Sequence, residues 1–129
     1  MCPPDHYGVD YVINPWMQDQ LGRTDRDMAR RQWDGLRQVL AAEAEVVLIE
    51  AQTGLPDMVF TANAGMVHGN VAVVSRFRLP ERQGEETFFR AWFESNGFSI
   101  AAWPKEPLAP TPRRINQPKA LLSRRNFWL

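Results

Sequence analysis

The residue pattern predicts an α/β or α+β fold, and three observations carry that prediction. Short runs rich in β-branched and aromatic residues recur with the length of strands. Two longer stretches repeat apolar residues at helical spacing. A turn signal, His68-Gly69-Asn70, separates two of the strand runs as in a hairpin. The resulting order is strand, helix, strand, strand, strand, helix, strand, with hairpins between helices rather than regular alternation. Its second part, strand-strand-helix-strand, has the form of one complete supersecondary module.

Residues 8–14, Gly-Val-Asp-Tyr-Val-Ile-Asn, read as the first strand. Pro15 closes it, because proline cannot donate to a ladder, so Asn14 is expected at a strand end. After a turn at Gly22, Thr24 is the expected N-cap of a helix, with Asp25 and Asp27 favourable at its positive end. Ala29, Trp33, Leu36 and Leu40 recur on one face of that helix, while Arg26, Arg30, Arg31 and Arg37 lie mostly on the others, as a solvated charge run. Residues 46–49 are a continuous apolar run expected as a buried strand. Residues 54–65 supply the next strand and 71–75 its hairpin partner. Pro80 and Glu81 open a second helix, whose expected buried face is Phe88, Phe89, Trp92 and Phe93. Asn96-Gly97 stops it, and residues 98–102 form the last strand.

The chain of 129 residues is enough for one small domain, and 44% hydrophobic residues fit a globular chain rather than a disordered one. Formal net charge is zero, which argues against bulk attraction to nucleic acid or an anionic membrane. One cysteine, Cys2, excludes an internal disulfide framework and suits a reducing compartment. No run reaches membrane-spanning length and no secretory signal opens the sequence, so a soluble cytoplasmic protein is expected. Residues 103–129 differ from the rest. They hold six of the 15 basic residues but one acid, Glu106, and five of the ten prolines. This tail is expected to be mostly irregular.

The stretch Gly54-Leu-Pro-Asp-Met-Val-Phe-Thr-Ala-Asn-Ala-Gly65 carries the chemistry. Alternation along a strand would place Asp57 and Asn63 on the same side. An acid and an amide so placed can grip a planar cation such as a guanidinium. The other reading is that Asp57 caps a turn and Asn63 satisfies a loop. His6, before the first strand, and His68, in a turn, read as solvated side chains. Two histidines and one cysteine lack metal-site spacing.

Three stretches, Val9 to Met17, Gly54 to Gly65, and Ser75 to Glu86 with its Pro80-Glu81-Arg82-Gln83-Gly84-Glu85-Glu86 segment, resemble in order and spacing the N-terminal part of the amidinotransferase, or pentein, superfamily. The resemblance covers residues 5–102 and is nearest to the arginine dihydrolase branch, which converts arginine to ornithine, carbon dioxide and ammonia. Arginine deiminases and dimethylarginine dimethylaminohydrolases are related. It implies an α/β propeller of strand-strand-helix-strand modules around a polar centre. This chain would hold a truncated portion: residues 1–102 belong to the family domain and 103–129 form a tail outside it, of the kind a frameshift or premature end produces.

The resemblance also implies a mechanism. A cysteine thiolate attacks the guanidinium carbon, and a histidine protonates the leaving nitrogen and then activates water. Carboxylates hold the planar cation and an arginine clamps the substrate carboxylate. Asp57 matches the guanidinium-holding acid, Arg82 the carboxylate-binding arginine, and Asn14 and Asn63 the asparagines of the dihydrolase branch. An amide can both donate to and accept from citrulline's neutral ureido group, so it suits a second hydrolysis. The nucleophilic cysteine and catalytic histidine segments are absent, so the chain alone is expected to be inactive. The expected partner is a small molecule, arginine or a related guanidino compound. No metal or cofactor is expected, and neither is nucleic acid or a membrane. Uncovered module flanks are expected to promote self-association around a small core of Trp33, Phe88, Trp92 and Phe93. The competing readings are a non-catalytic arginine-binding module and a nucleic-acid adaptor using the basic tail.

Overall fold

A computed structural model describes residues 1–103; the expectations for the proline-rich tail beyond Trp103 lie outside the described residues. The centre of the fold is the predicted module. Strand β1 (Gly65–His68) pairs antiparallel with β2 (Val71–Val74), Gly65 facing Val74 and His68 facing Val71. Gly69, at φ +58°, makes the tight turn between them, a backbone region open to glycine. The chain then passes through α2 (Pro80–Gln83) and α3 (Glu85–Ser95) and returns as β3 (Ser99–Ile100), which pairs parallel with β2. The sheet order is β1-β2-β3, a mixed sheet with α3 packed against β2 and β3. This is an α/β arrangement of strand-strand-helix-strand form.

The core lies between α3 and the sheet. Phe89 and Phe93, one turn apart on α3, meet Ala72 and Val74 of β2, with Met58, Ala64, Ile49 and Cys2 completing the cluster. Gly65 is required there, because a Cβ would stand 2.6 Å from the Val73 carbonyl oxygen and 3.3 Å from the Phe93 ring. Pro80 opens α2 as expected, and α3 ends at Asn96, followed by Gly97 at φ +85°. The buried face of α3 is narrower than expected: Phe88 is 39% exposed, a turn-fraction away from the Phe89–Phe93 stripe.

Several expected elements differ. Residues 8–14 form no strand. They run as a loop tied by the Gly22 N–H to the Val9 carbonyl (3.0 Å) and by the Val9 N–H to Thr24 Oγ1 (3.1 Å). Pro15 starts an element rather than closing one: Pro15–Gln20 is a 3₁₀ helix preceded by Asn14, in keeping with proline's fit to the first helical position. Helix α1 (Arg26–Ala41) is capped by Asp25, whose side chain accepts from the Met28 N–H, and not by Thr24, which is engaged with Val9. Its expected apolar face is only partly covered: Trp33 is buried, Ala29 and Leu40 are half-buried, and Leu36 is 53% exposed.

Residues 46–49 form no strand either. They meet the chain start, the Met1 ammonium donating to the Val47 carbonyl and the Ile49 N–H donating to the Met1 carbonyl, and Ile49 is the one of the four that is buried. Within 54–65 two 3₁₀ turns, Pro56–Val59 and Thr61–Asn63, replace the expected strand, and β1 begins only at Gly65. Asp57 and Asn63 therefore do not share a strand face. Among the described residues, no helix is long and apolar enough to cross a membrane.

Candidate functional site

The first loop, the Pro56–Val59 turn and α2 meet at an open cleft of about 240 Å³ lined by Tyr7, Asn14, Asp57, Phe60 and Arg82, among others. Local structure puts each polar group there. The 3₁₀ turn after Pro56 buries Asp57, which is 5% exposed. The first turn of α2 carries Arg82, 9% exposed. Asn14, ahead of its own 3₁₀ helix, closes one side. Tyr7 and Phe60 meet edge to face at 5.9 Å and form an aromatic wall.

The charges are tied together. Tyr11 donates its hydroxyl proton to Asp57 Oδ2 at 2.7 Å. Arg82 Nε donates to Glu85 Oε1 and Nη2 to Glu85 Oε2, both at 2.8 Å, a two-pronged pair with a fully buried carboxylate. Arg82 Nη2 also reaches the Asp57 carbonyl at 3.3 Å, Nε lies 3.8 Å from Asp57 Oδ2, and the guanidinium stacks 4.2 Å from the centre of the Phe77 ring. Burial by itself would lower the pKa of Arg82, but hydrogen bonding to Glu85 and the charges of Glu85 and Asp57 outweigh it and raise that pKa. The Tyr11 phenol is pushed above its ordinary range by burial first, and then by its bond to Asp57.

Some atoms are left open. Among the described residues, Arg82 Nη1 and Asp57 Oδ1 make no hydrogen bond, and Asn14 Oδ1 is buried without a partner. A buried acceptor without a donor is costly, and in a native site it calls for a ligand or water. The cleft residues thus carry one unpaired cationic donor, one unpaired anionic acceptor and one buried, unpaired amide oxygen.

The structure brings Asn14, Asp57 and Arg82 to this cleft. Asn63 is exposed and does not line it. Tyr11 and Glu85 belong to the site and have no place in the sequence reading. The spacing of Arg82 and Glu85, three apart at a helix start, is a signal that could reveal their pairing. Tyr11 lies 46 residues from Asp57 and has no comparable local signal.

None of Cys2, His6 and His68 lines the cleft. Cys2 is completely buried in the core, and burial pushes its thiol from an ordinary 9.0 to about 11. His6 contacts Thr53 Oγ1 at 3.4 Å, and His68 is exposed at the end of β1. Because the folded thiol holds its proton to higher pH than the unfolded one, folding stability is expected to fall as pH rises from 9 to 11. Cys2→Ser is expected to flatten part of that decline in urea titrations. In the native chain at neutral pH, Cys2 is expected to resist iodoacetamide until the protein is unfolded.

No family model matches the chain. The bifunctional arginine dihydrolase/ornithine cyclodeaminase AgrE of Nostoc sp. is 51% identical over 130 residues, covering 100% of this chain and 18% of AgrE. The dimethylarginine dimethylaminohydrolase of Mycobacterium tuberculosis is 46% identical over 99 residues, covering 76% of this chain and 32% of that enzyme. The crystal structure of the substrate-bound N-terminal domain of ArgZ, a cyanobacterial arginine dihydrolase, superposes with a TM-score of 0.78 at 54% identity, over 81% of this chain and 38% of that domain. The chain therefore spans less than two fifths of each of these three proteins. On this sequence match and this shared fold, the chain belongs to the arginine dihydrolase family of pentein-type guanidine hydrolases and corresponds to the N-terminal part of its domain.

Proposed function

We propose that this chain is the substrate-holding portion of an arginine dihydrolase-type hydrolase, without turnover of its own. The observation that carries this reading is the cleft whose residues leave Asn14 Oδ1, Asp57 Oδ1 and Arg82 Nη1 unpaired beside the two-pronged Arg82–Glu85 pair. A relative supports the ligand class: a cysteine-to-alanine variant of AgrE was crystallised with L-arginine. The chain's single cysteine is buried in the core and away from the cleft, so its own residues supply no thiolate there.

The geometry also favours a division of labour different from the one the motifs suggest. Asp57 and Arg82 are neighbours, with 3.8 Å between Oδ2 and Nε. Giving the guanidinium to one and the carboxylate to the other would ask them to hold opposite ends of an extended arginine. An ammonium and a carboxylate on one carbon fit adjacent acid and base grips better. In this reading Arg82 Nη1 takes the α-carboxylate, Asp57 Oδ1 the α-ammonium, and Asn14 Oδ1 a further N–H of the ligand. Asn63, outside the cleft, is left for the distal ureido or guanidine end.

Calorimetry with the 129-residue chain tests this reading. L-Arginine and L-ornithine are expected to bind with similar affinity, and agmatine, which lacks the carboxylate, is expected not to bind. Binding of agmatine without ornithine would return Asp57 to the guanidinium, and no binding by any of the three would overturn the substrate-holding role. Steady release of ornithine from arginine would overturn the absence of turnover. The exposed Leu36, Val39, Val47 and Leu48 support the further proposal that the isolated chain self-associates.

A further inference from the structure

We infer that Tyr11 is a positioning residue of the cleft, whose hydroxyl holds the Asp57 carboxylate away from Arg82 so that both stay open to one amino-acid head group. This rests on the reading of Asp57 and Arg82 as head-group grips. A carboxylate 3.8 Å from a guanidinium is drawn to close on it, because charge-assisted hydrogen bonds form at about 2.7–2.9 Å. Oδ2 instead takes the Tyr11 hydroxyl at 2.7 Å. That bond ties the first loop to the Pro56–Val59 turn and fixes the rotation of the carboxylate. On the other side Glu85 occupies the Nε and Nη2 edge of Arg82. Each grip is thereby reduced to one free atom, Oδ1 on the acid and Nη1 on the base.

Phenylalanine at position 11 would fill the same space. If Tyr11 only packs, it is replaceable. If it positions Asp57, its loss lets the acid settle onto Arg82, and a ligand must first separate the pair. The phenol suits a permanent donor, since burial and Asp57 keep it protonated throughout the neutral range.

The test is a double-mutant cycle read by L-ornithine affinity in calorimetry, with circular dichroism confirming that each variant is folded. Tyr11→Phe is expected to weaken L-ornithine binding by about tenfold, one charge-assisted hydrogen bond's worth. Asp57→Asn is expected to weaken it more, and the double variant no further than Asp57→Asn alone, because Tyr11 acts through Asp57. Wild-type affinity in Tyr11→Phe, or losses that multiply in the double variant, overturn the inference while leaving the head-group reading intact. Wild-type affinity in Asp57→Asn overturns the head-group reading itself. A second measurement needs no variant: the Tyr11 hydroxyl proton is expected to keep a slowly exchanging NMR signal when ornithine is bound. Loss of that signal on binding counts against the inference.

Discussion

Replacing Glu85 by alanine is expected to remove about 3–5 kcal/mol of stability, most of what a small domain possesses. Glu85 is fully buried and takes both prongs of Arg82, which is itself 9% exposed. Bringing two charges out of water is costly, and their attraction roughly repays that cost only while both are present. Removing the acid leaves a buried guanidinium whose remaining anion, Asp57, stands at 3.8 Å and is already bonded to Tyr11. The measurement is urea unfolding followed by circular dichroism. Glu85→Ala is expected to unfold at a far lower midpoint, while the double variant Arg82→Met with Glu85→Leu is expected to recover part of the loss, since both members of the pair are gone and the buried Asp57 carboxylate keeps its bond from Tyr11. If Glu85→Ala melts like the parent chain, the pair is not the internal support described here.

Phe93→Ala is expected to cost about 3–5 kcal/mol, in the range for truncating a buried phenylalanine. Phe93 is 2% exposed and meets two rings edge to face, Trp92 at 5.4 Å and Phe98 at 5.6 Å. It also lies against Gly65 of β1, where an added Cβ would stand 3.3 Å from its ring. The cavity left by its ring would open between α3 and the sheet, with little freedom to collapse because backbone borders it. Phe88→Ala is the control, because that side chain is 39% exposed and its loss is expected to cost under about 1 kcal/mol. Equal losses for the two would contradict the placement of the core.

The contrast between these phenylalanines shows what local sequence can reveal. The hairpin, the helix after Pro80 and its stop at Gly97 are legible because turn chemistry and helical period act within a few residues. Residues 8–14 and 46–49 carry strand composition equally well, yet they form no strand. A strand exists only against a partner edge, and composition says nothing of where that edge is. Residues 54–65 mislead for another reason: Pro56 biases its predecessor toward extended backbone but is itself suited to open a 3₁₀ turn. At the cleft, Asn14, Asp57 and Arg82 are legible through the resemblance. The bonds that set their orientation are not, because Tyr11 reaches across 46 residues and Glu85 reads as one acid of an ordinary helix start.

Helix α1 buries a single side chain, Trp33, flanked by Arg30 and Arg37 over its ring, and the exposed Arg30–Asp5 pair links it to the start of the chain. Little apolar area is released if it comes away, so it can open as a separate unit well below the free energy of global unfolding. The loop that carries Tyr11 and Asn14 closes upon itself through Gly22 and Val9, ahead of that helix. In native-state hydrogen exchange the amides of Arg26–Ala41 should therefore lose protection long before those of Val71–Val74. The cleft would stay assembled in a molecule whose longest helix has already melted.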